Sequence, residues 1–188
     1  MLKLIAGIVV TQIVMYLWGF LVWGLGPYAK LSWKDVKDLE GARASMREHF
    51  PENGTYYVPS FHGAEQAEIE QRMQEGPVAF VHMTAVDGRP LFDVSIMVFG
   101  FLLNLAAIVL MAIMLKWVSP SLPSYAPRAG FCFLLALAAV LITDVGQIAW
   151  WQLDWTWKLY QGGYDFTFFL LAGLLLSAFV DGNRKQLD

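Results

Sequence analysis

Four polar side chains stand inside stretches that are otherwise apolar: Gln12, Asn104, Asp144 and Gln147. Hydrocarbon surroundings penalise such groups, so each marks either an ion or proton path or a hydrogen-bonded contact between helices. Asp144 is the sharpest of them. It follows Leu141, Ile142 and Thr143 and lies shortly before a run of tryptophans. A carboxylate at that depth costs on the order of 1–3 kcal/mol even with water defects, so it is expected to face the interior of a helix bundle. Gln147, one helical turn on, falls on the same face, and Gln12 or Asn104 meets the pair from another helix if the depths match. No lysine, arginine or histidine reads at the depth of Asp144. An isolated acid makes a poor relay, which favours a structural contact over ion handling.

The histidines are a second candidate set. His49, His62 and His82, with Glu48, Glu65 or Glu68 nearby, offer ligands for a metal or an axial position on haem. Their spacing lacks the i, i+4 pair of a helix-borne zinc site, and histidines collect in a polar segment simply because apolar segments exclude them. No cofactor is assigned from this pattern. The third set is aromatic: Trp150, Trp151, Trp155, Trp157, Tyr160 and Tyr164 fall within fifteen residues. Such crowding marks a belt at a membrane–water interface, with a stacking platform for a ligand as the alternative.

Other chemistry is not visible. The chain has 188 residues, of which 57% are hydrophobic and only 15% charged, with a net charge of −3. That balance leaves no basic face for nucleic acid. Cys132 is the only cysteine, which excludes an internal disulfide and a cysteine-based zinc site. There is no Ser–His–Asp order and no glycine-rich phosphate loop. Asn53-Gly54-Thr55 fits a glycosylation acceptor and reads equally as a turn.

The elements that position these residues follow from hydropathy. A bilayer core of roughly 30 Å needs about 20 apolar residues at 1.5 Å each. Val94 to Lys116 supplies them with Asn104 as its one strongly polar side chain before the lysine, and three further stretches resemble it. The expected fold is an α-helical integral membrane protein: four transmembrane helices, with a small α/β extramembrane domain inserted between the first and second. The boundaries read as helix 1 over 2–28, an extracytoplasmic α/β domain over 29–92, helix 2 over 93–117, and a proline-rich cytoplasmic connector over 118–128. Helix 3 follows over 129–149, an aromatic interfacial loop over 150–164, helix 4 over 159–181 with a start that overlaps the loop, and a cytoplasmic tail over 182–188.

Within the polar segment the spacing predicts a helix from about Trp33 to His49, opened by a capping pair of Ser32 and Asp35. A strand is expected at Thr55–Val58, a helix over Gly63 to Glu75, and a second strand over Pro77 to Thr84, apolar on nearly both faces. Two short helices cover only one face of such a sheet well, so the unit is expected to need cover from outside itself.

Lys3, Lys116, Arg128, Arg184 and Lys185 flank one side of the helices, against Lys158 in the short third loop. This places both termini in the cytoplasm of a cell (inner or plasma) membrane, multi-pass, with the α/β domain and the aromatic belt on the outer face. The expected partners are the lipid bilayer and other membrane subunits or further copies of the chain. Three functions follow, in order of support: a structural or accessory subunit of a larger membrane complex, a small oligomeric transporter or channel, and an outer-face ligand- or metal-binding module.

Overall fold

The computed structural model describes residues 2–25 and 28–181 and divides into two compact units, one of residues 1–34 and 94–188, the other Asp35–Asp93. The chain is mostly helical. Four helices are long and apolar enough to cross a membrane: α1 (Leu2–Leu25), α5 (Val94–Val118), α6 (Tyr125–Trp151) and α7 (Trp155–Phe179). Between α1 and α5 lie α2 (Tyr28–Leu31), α3 (Leu39–His49), β1 (Gly54–Val58), α4 (Gln66–Glu75) and β2 (Ala79–Met83).

In the first unit α7 is the hub: α1, α5 and α6 all pack on it, and α5 also packs on α1. Met15 of α1, Ile108, Met111 and Leu115 of α5, Cys132 of α6, and Phe168, Ala172 and Leu176 of α7 form the buried core. Gly173 lets α6 and α7 approach closely, because a Cβ there would collide with the side chain of Cys132. Burial is nevertheless slight. Within the most apolar window of each long helix only 17–33% of residues are buried, although the helices are apolar on all sides. Helices apolar all round and left uncovered suit lipid rather than water, so the four suggest a multi-pass membrane protein.

The ends of the bundle are tied by charge. Lys3 Nζ lies 2.5 Å from Asp181 Oδ1, bringing the start of α1 to the end of α7. Asp181 titrates below the ordinary carboxylate range because it accepts this hydrogen bond and feels the lysine charge. Arg128, buried near the start of α6, donates to the carbonyls of Leu122 (3.2 Å), Pro123 (3.1 Å) and Ser177 (3.1 Å). Ser177 is in the last turn of α7, where free carbonyls and the helix dipole favour a cation.

Several boundaries differ from those the sequence suggests. The segment 150–164 is not a loop. Gln152 ends α6 in the left-handed conformation (φ 52°), and Asp154 starts α7 at once by accepting the Trp157 N–H at 3.0 Å. Only 152–154 lie outside helix, and the fourth helix begins at Trp155 rather than near 159. Helix α6 begins at Tyr125, ahead of 129. Pro127 sits in its first turn, where a missing N–H costs no hydrogen bond. The connector shrinks accordingly to 119–124. The predicted tail, with Arg184 and Lys185, lies outside the described residues.

In the second unit the expected helix from Trp33 starts only at Leu39, because Asp38 supplies the cap, accepting the Gly41 N–H at 3.0 Å. Ser32 and Asp35 do not open it. Helix α4 likewise starts at Gln66, and β2 is confined to Ala79–Met83. The strands pair antiparallel, Gly54 opposite Met83 through Val58 opposite Ala79. Tyr57 and Phe80 are directly opposed, their rings 5.0 Å apart, and Phe61 adds to them at 5.1 Å from Tyr57. Phe80 and Phe61 are 41% and 50% exposed, and none of the described residues of this unit is buried. It is a sheet and two helices without a core of their own.

Candidate functional site

The candidate site is where Asp144 meets α7. One turn of α6, Leu141–Val145, is π-helical, and Asp144 stands within it. A wider turn inserts one residue into the helical ladder and redirects the side chains on it, a feature found frequently at functional sites. Asp144 is 3% exposed.

Its partner is Lys158, which approaches from the first turns of α7 with Nζ 2.7 Å from Asp144 Oδ1. Both side chains are almost wholly buried, at 3% and 4% exposure. Lys158 also donates to Gln161 Oε1 at 2.9 Å. Thr143 Oγ1 lies 2.9 Å from the Ala139 carbonyl and 3.0 Å from Asp144 Oδ2, so its one proton serves either acceptor. Asp165, half-buried one turn beyond Gly162, sits within interaction range of Asp144 and Lys158.

Glycine makes the approach possible. A Cβ at Gly162 would lie 3.2 Å from Asp144 Cβ and 3.2 Å from Val140 Cγ1, too tight for a side chain without displacement. Lys158, Gly162 and Asp165 are spaced i, i+4, i+7 and so share one face of α7. Two carboxylates and one ammonium, ringed by a hydroxyl and a carboxamide, can hold the two helices in register. The same set can bind a proton or exchange a charge partner.

The other sequence candidates go elsewhere. Gln147 is exposed and does not join Asp144, because the π turn shifts the register that would align them. Gln12 is buried in the contact of α1 with α5, its Nε2 donating to the Phe101 carbonyl at 3.0 Å, while its Oε1 has no partner among the described residues. Asn104 is half-buried and lines a cleft of about 250 Å³ between α1, α5 and α7. The four groups therefore do not form one polar path.

The histidines are also apart. His49 closes α3, His62 is in an exposed loop, and His82 Nδ1 pairs with Thr55 Oγ1 at 2.7 Å across the sheet. Among the described residues no group of three or more His, Cys, Asp or Glu is placed to hold a metal ion.

The aromatic run divides in two. Trp150, Trp151 and Trp155 are exposed, at 84%, 58% and 59%. Trp157, Tyr160 and Tyr164 turn inward and hold Trp23 by edge contacts at 5.9, 4.9 and 5.4 Å between ring centres. Tyr160 also donates to the Val22 carbonyl at 2.7 Å, in the π-helical end of α1 where backbone pairing is altered. Trp33 joins beside Trp157, and Lys34 lies 3.6 Å from Asp154. The inward rings pack against Trp23, and Trp157 also stacks on Tyr160 at 6.3 Å.

Comparison with protein-family models, with curated proteins and with solved structures found no match.

Sequence reasoning identifies Asp144 but misses Lys158, Gln161 and Asp165. Their signal is the i, i+3, i+7 spacing, which emerges once α7 is allowed to begin at the Asp154 cap.

Proposed function

We propose that the chain is a multi-pass membrane protein acting as a structural or accessory subunit of a larger membrane complex. The observation that carries this reading is the second unit, whose described residues include none that is buried and in which Phe61 is half exposed. A unit of this size with no core of its own requires cover. Acidic side chains outnumber basic ones in it, so the partner surface is apolar with basic groups around it. Detergent extraction followed by native gel and mass spectrometry tests the reading. A heteromeric complex that is lost in a Phe61→Ser variant supports it; a monomer or a complex of identical chains removes it.

On this reading both termini are cytoplasmic in the cell membrane. Lys3 and Lys116 mark that side, while Arg128 and Lys158 are both buried in the bundle and count for neither side. A cysteine at His62 is then labelled by an impermeant reagent on intact cells, and one at Ser121 only after permeabilisation. The reverse pattern inverts the topology.

A second reading, ion or proton handling, is favoured by one observation: Asp144, Lys158 and Asp165 bring an excess carboxylate into the bundle. Asp144→Asn keeps the shape but removes the charge. Normal assembly with lost transport in that variant supports ion handling, and unchanged assembly and transport reject it.

A further inference from the structure

The cleft between α1, α5 and α7 lies within the stretches read as membrane spans, between Tyr16 and Phe20 on α1, Met97 and Asn104 on α5, and Tyr164 on α7. Gly100 of α5 is part of its lining, and an added Cβ there would find nothing within 4 Å. Its walls are mostly apolar, but three polar side chains belong to its lining, and one of them, Tyr16, donates to the Met97 carbonyl at 3.3 Å. Among the described residues, neither the Asn104 carboxamide nor the Tyr164 hydroxyl has a hydrogen-bond partner. In water such groups would be solvated. In hydrocarbon they are not, and an unmet amide there is costly, so a partner must come from the bilayer.

The volume limits what that partner is. At about 250 Å³ the cleft falls below the usual range for a whole drug-sized ligand. It fits the end of one slender molecule.

We propose that this cleft binds an elongated, membrane-soluble hydrocarbon ending in a hydroxyl or carbonyl group, with that end hydrogen-bonded to Asn104 and the chain lying along Phe20, Met97 and Gly100. The inference rests on the membrane reading of the helices. It is independent of the accessory-subunit role.

The test uses the full chain in bilayer vesicles with two photoreactive probes: a long-chain primary alcohol bearing a diazirine, and the matching hydrocarbon without the hydroxyl. Peptide mapping reads the sites of attachment. Labelling of the exposed Leu102 and Leu103 by either probe reports lipid contact alone, and its absence would refute the membrane reading instead. The alcohol is expected to label Met97, Phe20 or Tyr164 in preference to those leucines, and in preference to the hydrocarbon. Gly100→Leu fills the cleft and abolishes the preference. Gly163→Leu, another position with open space but outside the cleft, leaves it intact. Asn104→Leu lowers the advantage of alcohol over hydrocarbon by roughly three- to tenfold, the worth of one hydrogen bond within a membrane. Equal labelling of cleft and lipid-facing residues, or a preference that survives both Gly100→Leu and Asn104→Leu, overturns the proposal. So do crosslinks joining two chains through the cleft.

Discussion

Lys158 Nζ reaches Asp144 Oδ1 at 2.7 Å across the contact of α6 with α7, with both side chains closed off from solvent. A buried pair gains little over a well-packed apolar pair, but removing one partner leaves an uncompensated charge. Asp144→Leu is therefore expected to destabilise the protein by about 3–5 kcal/mol, and Lys158→Met by a similar amount. The double variant should recover most of that loss. Reversible unfolding in detergent, read as a double-mutant cycle, checks this; additive losses would mean the two charges do not depend on each other.

The aromatic residues should separate by location rather than by type. Trp23 contacts three rings, each such edge contact contributing roughly 0.5–1.5 kcal/mol, whereas Trp150 is 84% exposed. Trp23→Ala is expected to cost about 2–3 kcal/mol, and Trp150→Ala to stay within roughly 0.5 kcal/mol in detergent. Equal losses in the same unfolding assay would contradict a structural role for the ring contacts of Trp23.

Acid should loosen the ends of the bundle first. Asp154 titrates below the ordinary carboxylate range, chiefly because it accepts the Trp157 N–H and secondarily through Lys34. Asp181 is held low by Lys3. A carboxyl depressed in the folded state stabilises fully above its unfolded pKa, and that contribution is lost as pH falls through the folded value. Stability should thus decline below the ordinary carboxylate range, and the decline should be smaller in Asp154→Asn and Asp181→Asn. Melting curves taken through that range would show it, and an unchanged acid slope in both variants would remove these two groups as its source.

The α/β unit should not stand alone. Expressed as residues 35–93 it is expected to give collapsed amide signals and no cooperative melt, since it has no buried residue among those described. A dispersed spectrum with a sharp transition would show that the sheet and helices suffice.

The long helices are legible in sequence because apolar content over twenty residues is a strong signal, and Asp144 is legible because its surroundings contrast with it. The site is only half legible. Crowded tryptophans invite an interfacial loop over 150–164, and a loop has no faces, so Lys158 and Asp165 lose the helical spacing that puts them beside Asp144. A three-residue break with a left-handed Gln152 and a capping Asp154 is a local event that composition does not report. Trp33 is similar: its helical periodicity with Val36 and Leu39 is overridden by packing against Trp157.

Helix α7 follows α1, α5 and α6 in sequence, yet all three pack on it, α6 most extensively. Synthesis therefore delivers Asp144 before the lysine that neutralises it. At roughly 5–20 residues per second, about one to three seconds separate the two. During that interval the carboxylate is an unpaired charge in an incomplete bundle. A chain that stops before α7 would leave α6 without the helix it packs on most and Asp144 without its lysine.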